Sequence, residues 1–288
     1  MGKNSVILVL GATGMLGSAV LRFFAQSPGY SVFGSARSSN AARLLPRALH
    51  AQMVDGIDVQ DMDSLLRLFD RVRPDVVINC VGLVKQLAGS EDPLAALPIN
   101  SLLPHRLLRL CLVARARLIH VSTDCVFDGA KGMYTESDIA NARDMYGLSK
   151  YLGEIHDARA ITLRTSIIGP ELNGAHGLVN WFLTQTGGVK GFTRAIFSGL
   201  PTVELARIMR DCIIPRDDLS GLYHVSAAPI SKHDLLVLVA REYGKSIEIE
   251  PEGTLIIDRS LDSTRFREQT SYVPPSWPVL VRAMHEFG

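Results

Sequence analysis

The 288-residue chain has almost no excess of charge: 30 Lys and Arg stand against 29 Asp and Glu, leaving a formal charge of +1. Such a balance offers no basic field to the phosphates of nucleic acid or to an anionic membrane, and neither is expected as a partner. Long apolar runs are lacking too. The longest, such as Val6–Leu10 and Leu235–Ala240, fall far short of a membrane span. The run that ends at Gly11 is too short for a secretory signal and no small-residue cleavage site follows it, so a cytoplasmic location is expected. Cysteine is sparse. Cys80, Cys111, Cys125 and Cys212 are scattered, with no CxxC and no metal-ligand spacing. Free thiols in a reducing compartment and no structural metal follow. What the chain does have is 47% apolar residues, enough to bury a sizeable core, and a length near two domains of about 150 residues each.

Short apolar runs alternate with helical patterns through the first half. The spacing predicts strands at Val6–Leu10, Ser31–Gly34, Ala51–Val54, Val76–Cys80, Leu118–Ser122 and Ile161–Arg164. Helices are expected between them at Leu16–Gln26, Asp61–Arg71, Pro93–Ala114 and Met145–Arg159. Because crossovers between parallel strands are right-handed, this order describes an α/β fold with a doubly wound parallel (Rossmann) sheet. After Arg164 the rhythm breaks. Helices are expected at Val179–Thr186, Thr202–Cys212, Lys232–Arg241 and Val279–Glu286, with a short strand near Leu222–Val225. Pro229, Pro251, Pro274, Pro275 and Pro278 interrupt this half. The division reads as a dinucleotide-binding domain over residues 1–165 and a smaller α/β substrate domain over 166–288, with the chain free to cross the boundary more than once.

Val6–Leu10 leads at once into Gly11-Ala12-Thr13-Gly14-Met15-Leu16-Gly17 and then an apolar helix. The first glycine allows a sharp turn, the second lets backbone approach a pyrophosphate, and the third permits close helix–strand packing. Free N–H groups at the helix start, from Thr13 through Gly17, face the anion. A tight turn without a ligand can use the same glycines; their place after the first strand of a doubly wound sheet favours a dinucleotide. The second strand runs into Gly34-Ser35-Ala36-Arg37-Ser38-Ser39, with no carboxylate to hold a ribose 2′-hydroxyl. Arg37 suits a 2′-phosphate, so NADPH is expected, with NADH as the alternative.

Tyr146-Gly147-Leu148-Ser149-Lys150 sets a phenol and an ammonium four residues apart, on one helical face. A nearby cation favours the phenolate and is expected to bring Tyr146 towards neutral pH. His120-Val121-Ser122-Thr123-Asp124-Cys125 ends the fifth strand, where open α/β sheets bind their ligands. A hydroxyl there can bond a substrate carbonyl; ordinary strand-end capping is the simpler use.

With these motifs, the Asn79-Cys80-Val81-Gly82 strand end and Ser122–Gly129, the chain resembles the extended short-chain dehydrogenase/reductases. Within them it is most similar to the dTDP-4-dehydrorhamnose reductase (RmlD-like) group of nucleotide-sugar reductases. The resemblance implies that Tyr146 donates a proton to the substrate oxygen, Lys150 tunes it and binds the ribose, and Thr123 polarises the carbonyl. It also implies that Gly11, Gly14 and Gly17 hold the pyrophosphate, that Asp58 and Val59 flank the adenine, and that Val81 and Gly82 line the nicotinamide side. Asn100 matches a position that supports the lysine, with a helix-start role as the alternative.

Related 4,6-dehydratases carry Thr-Asp-Glu, since elimination of water needs a further acid and base. Cys125 replaces that carboxylate here, which leaves ketone reduction. Two departures from the reductase pattern fall near the sugar: Cys125 stands where Tyr is usual and Ile167 where Trp is usual. An apolar Ile does not stack on a sugar as Trp does. Asp124, Trp181 and the His176-Gly177 loop are candidates for sugar contacts, and Lys85 and Lys190 for the diphosphate, although Trp181 also suits a core and both lysines a solvated surface. Three readings stand: an NADPH-dependent reductase of a nucleotide-linked 4-keto-6-deoxy sugar, a nucleotide-sugar epimerase with tightly bound NAD(P), or a non-catalytic dinucleotide-binding regulatory subunit. The expected partner is a nucleoside-diphosphate sugar, and a homodimer is one expected assembly.

Overall fold

The structure is a computed structural model and describes residues 4–85 and 89–288. Strands β1 (Ser5–Leu10), β2 (Tyr30–Ala36), β3 (Met53–Asp55), β4 (Val76–Asn79), β5 (Arg117–Thr123) and β6 (Ala160–Thr165) lie within a residue or two of their expected places. In β1, Ile7 and Val9 enter the core on one face while Leu8 and Leu10 enter the core on the other. Two apolar faces are what a parallel strand covered on both sides requires. Helices α1 (Met15–Ala25) and α2 (Met62–Val72) supply those covers.

The helix expected over Pro93–Ala114 is one continuous stretch in three parts: α3 (Pro93–Ala96), a widened π segment (Leu97–Leu102) and α4 (Leu103–Ala114). Pro98 and Pro104 each lack the N–H for an i→i−4 bond; the wide turn contains the first and ends just before the second. It carries Asn100. The helix expected over Met145–Arg159 is shorter, α5 running only from Met145 to Leu152. Gly153 follows it, and a Cβ at that position would overlap the carbonyl of Asn100. The helix thus ends at a glycine that packs directly on the π segment.

Beyond β6 come β7 (Ile167–Ile168), α6 (Leu178–Thr184), β8 (Val189–Phe192), β9 (Ala195–Phe197), β10 (Leu200–Pro201) and α7 (Thr202–Ile208). Next is β11 (Gly221–His224), near the strand expected at Leu222–Val225. It pairs in parallel with β6, in register from Gly221 on Ile161 to His224 on Arg164, so the chain crosses back to the main sheet here. The central sheet therefore has seven parallel strands in the order β11-β6-β5-β4-β1-β2-β3. The order reverses between β1 and β4, so a crevice opens beyond their C-terminal ends. The remainder comprises β12 (Ile230–Ser231), α8 (Lys232–Glu242), β13 (Ile249–Glu252), β14 (Ile257–Asp258), α9 (Thr264–Thr270) and α10 (Trp277–Phe287). Small pairings β8–β13, β9–β12 and β9–β14 tie these pieces together. No helix among the described residues is long and apolar enough to cross a membrane.

Candidate active site

At the reversal point the chain leaves β1 through Gly11, whose φ of 77° is a left-handed value that favours glycine. Gly14 caps α1 without a side-chain bond, and the first turn holds no acidic residue. Gly17 packs so tightly that a Cβ would overlap the Gly11 carbonyl, whereas a Cβ on Gly14 would stand 3.5 Å from it. An uncapped helix start with an open approach is a cradle for an anion. The residues present therefore fit a dinucleotide diphosphate. Thr13 and Met15 are half-exposed here, while the Leu16 side chain is buried in the core, so Leu16 has only its backbone amide to offer.

The flanking candidates fall around this turn. Arg37, Ser38 and Ser39 are exposed just after β2, and Ser35 at its end accepts a bond from Ala12 N at 2.9 Å, which ties the turn to that strand. Asp58 is exposed with one oxygen on Gln60 N, and Val59 is half-buried against the core under α2. Val81 lies against Gly11. A Cβ on Gly82 would meet Asn100 Oδ1 at 3.6 Å and Lys150 Nζ at 4.0 Å, so these three residues are neighbours. Asn100 accepts from Leu83 N and donates to Leu83 O and Ser149 Oγ, all near 3 Å. It thus fastens the exit of β4 to α5 rather than bonding Lys150 itself.

Helix α5 starts at Asp144, whose Oδ1 accepts from Gly147 N at 2.9 Å. That cap sets the helix so that Tyr146 and Lys150 face the end of β5. Lys150 is buried and its ammonium donates to the Val121 carbonyl at 2.7 Å. Burial pushes this amine down to about 8, opposed by the charge of Glu154. Thr123 Oγ1 accepts from Cys125 N and donates to Asp124 Oδ1. The Tyr146 phenol, half-buried beside Cys125, stands above its ordinary range. Burial is the main cause, with the neighbouring Cys125 adding and a hydrogen bond to Thr123 opposing. This corrects the expected direction. Desolvation prevails, and the phenol keeps its proton. Burial likewise raises the Asp124 carboxyl, against the pull of Arg259, and pushes the Cys125 thiol up to about 12.

The candidates for sugar and diphosphate contacts divide. Asp124 and Cys125 adjoin Tyr146, and Ile167 is half-buried in β7 at the start of the second half. The His176-Gly177 loop reaches Met15, which a Cβ on Gly177 would strike. Trp181 is partly exposed on α6. Lys85 is paired with the helix cap Asp144 at 3.1 Å, and Lys190 with Glu252 at 3.3 Å across β8 and β13. The Asp144 contact places Lys85 at the start of α5, beside the Tyr146 cluster, whereas the Glu252 contact holds Lys190 away from it. Glu154, Arg164 and His224, buried under the site, were not singled out from the sequence. A lone arginine inside the apolar strand Ala160–Thr165 was the signal available. No cluster of metal-ligating side chains occurs among the described residues.

Residues 5–260 match the RmlD substrate binding domain family. A probable low-salt glycan biosynthesis reductase, Agl14 of Haloferax volcanii, is 31% identical over 208 residues, 70% of this chain and 63% of its own. The methionine adenosyltransferase 2 subunit beta of Rattus norvegicus is 30% identical over 148 residues, 51% of this chain and 41% of its own. The chain thus spans less than two thirds of the length of either relative. Among solved structures, a dTDP-4-dehydrorhamnose reductase from Bacillus anthracis in complex with NADP superposes with a TM-score of 0.81 at 19% identity, covering 99% of both chains.

Proposed function

The chain belongs to the RmlD substrate binding domain family, and on that premise we propose that it is an NADPH-dependent reductase of a nucleoside-diphosphate-linked 4-keto-6-deoxy sugar. The observation that carries this reading is the meeting of Thr123, Tyr146 and Lys150 at the sheet edge that also holds the uncapped start of α1. When bound, the reduced nicotinamide supplies the hydride to the carbonyl carbon. Tyr146 gives its proton to the carbonyl oxygen; a phenol kept protonated by burial suits an acid in the reductive direction. Thr123 bonds the same oxygen and orients it. Lys150 binds the ribose and anchors α5 on Val121. The amides from Thr13 to Gly17 hold the diphosphate, and Arg37 with Ser38 and Ser39 takes the 2′-phosphate. Asp58 and Val59 flank the adenine, and Val81 and Gly82 the nicotinamide. Asp124, Cys125 and Ile167 face the sugar, with the apolar Ile167 selecting a hexulose other than one that stacks on Trp. Residues 1–165 form the cofactor half and 166–288 most of the substrate half. We further propose a cytoplasmic enzyme, with a homodimer as its assembly.

The test is NADPH oxidation against a panel of dTDP-, UDP- and GDP-linked 4-keto-6-deoxy sugars. Consumption with one of them, matched by product, supports the reductase. A dinucleotide that co-purifies and is never consumed overturns it in favour of an epimerase. The similarity to a subunit of another enzyme supports one second reading, a dinucleotide-binding regulatory partner. Binding of NADPH without turnover of any sugar in the panel would favour that role.

A further inference from the structure

Beneath the reactive side chains runs a line of buried charge that the reaction just proposed does not use. Glu154 lies one helical turn past Lys150, just beyond the end of α5. Its side chain is 1% exposed and that of Arg164, opposite on β6, is 4% exposed. Arg164 Nε and Nη2 each donate to one Glu154 oxygen at 2.7 Å, the two-pronged geometry of a guanidinium on a carboxylate. Ser122 Oγ on β5 donates to Glu154 Oε1 at 2.7 Å. Arg164 Nη1 lies 3.3 Å from His224 Nε2 on β11, and His224 Nδ1 lies 2.9 Å from the Tyr134 carbonyl. The carbonyl requires the proton on Nδ1, so Nε2 accepts from the arginine. Stacked on Phe127, the guanidinium is fully enclosed.

A fold does not need such a pair for stability. Two apolar residues of similar volume commonly pack as well, because desolvating both ions cancels much of their attraction. Its place relative to the lysine suggests another use. Lys150 Nζ bonds the carbonyl of Val121 and Glu154 bonds the hydroxyl of Ser122, so ammonium and carboxylate hang from consecutive residues of β5. The other titratable groups around Lys150 bring no negative charge. Cys80 at the end of β4 is pushed up to about 12 by burial and stays a thiol. His120 on β5, buried and close to the lysine, is held neutral. Tyr146 on the same helix keeps its proton, and Arg164 and His224 lie behind the carboxylate.

We propose that Glu154 is a positioning residue for Lys150: clamped by Ser122 and Arg164, it holds a fixed negative charge beside the ammonium and keeps it charged at the pH where the reduction runs. The proposal rests on the reductase reading for its purpose but not for its measurement. Burial alone drives Lys150 downward, and Glu154 is the largest influence opposing that drop. Without it, the lysine loses its proton nearer to neutrality, and with it the charge that orders α5 on β5 and meets the cofactor ribose.

The test follows the titration of the Lys150 side chain by NMR in protein with isotope-labelled lysine, its signal assigned with K150R, alongside the pH profile of kcat/KM. In E154Q the midpoint should fall by about one pH unit, and kcat/KM should drop about tenfold at pH 9 while staying within about twofold of wild type at pH 6. E154D keeps the charge and should titrate with wild type. E154M/R164M leaves no lone buried charge, so it keeps the test open if E154Q does not fold; its midpoint should also fall, by less than in E154Q. A midpoint unmoved in E154Q and in the double variant overturns the proposal, as does an E154D midpoint that falls as far as that of E154Q. The NMR arm needs no turnover, so failure of the reductase reading and failure of this one are separately visible.

Discussion

On the β1–α1 side of the crevice the working groups are backbone amides shaped by Gly11, Gly14 and Gly17, whereas on the β5–α5 side they are the side chains of Thr123, Tyr146 and Lys150 over a buried polar network. The first surface has no proton to lose near neutral pH and tolerates no added Cβ at its tightest point. The second is packed as tightly, at Gly147 and Gly153, but its working groups carry protons. A binding surface for a constant anion can be made of main chain, which does not titrate. A surface that must hand over a proton has to be made of groups that do, and those have to be steadied from behind.

The largest effect should come from the side-chain half. Tyr146→Phe is expected to lower NADPH oxidation by about 10²–10⁴-fold, the usual worth of a placed proton donor. NADPH binding, followed by fluorescence titration, should stay within a few-fold of wild type; turnover near wild type would remove Tyr146 from the reaction. On the main-chain half, Gly17→Ala forces a methyl into the Gly11 carbonyl and should cost about 2–3 kcal/mol in denaturant unfolding, with loss of dinucleotide binding. Gly14→Ala has room and should cost much less. Equal penalties at the two glycines would erase the distinction between a packed and an open position.

Acid should discriminate next. Burial and the neighbouring Arg164 push His224 down to about 4 from an ordinary 6.5, so the folded state refuses a proton that the unfolded chain accepts. Stability is then full above about pH 6.5 and is lost as pH falls towards 4, by roughly 3 kcal/mol for this residue. His224→Asn should flatten that fall in urea midpoints taken at pH 7 and 4.5, and an unchanged slope would acquit the histidine. The smallest effect belongs to the exposed rim. Arg37→Ala should raise the KM for NADPH about tenfold and leave that for NADH unaltered. An equal rise for both would separate Arg37 from the 2′-phosphate.

The two halves also differ in how far the sequence alone declares them. The turn declares itself because three glycines, a strand and a helix are neighbours in sequence, and the first six sheet strands follow from local apolar rhythm. Tyr146 and Lys150 are likewise local, four residues apart. The direction of the Tyr146 shift is not, since it depends on burial and on Cys125, which folding brings together around the phenol. The close approach of Gly153 to the Asn100 carbonyl joins distant segments, and the π segment that presents Asn100 contains Pro98 and precedes Pro104, a joint effect that periodicity does not register. Lys85 and Lys190 looked alike in sequence, yet each is paired with an acid that only folding brings to it. Glu154, Arg164 and His224 come from three segments and meet only once the sheet has formed.

The return of residues 221–224 to the edge of the main sheet has a consequence for how the chain can be made and divided. On a ribosome, the first six strands emerge long before the seventh, and until Gly221–His224 arrives β6 presents an unsatisfied ladder of amides and carbonyls to solvent. During that interval Arg164 also waits for its histidine. A fragment stopped at residue 165 would carry the nascent chain's hazard permanently, as a sticky edge prone to pair with its own copies. Anyone grafting the cofactor half onto another protein should carry the later strand along with it.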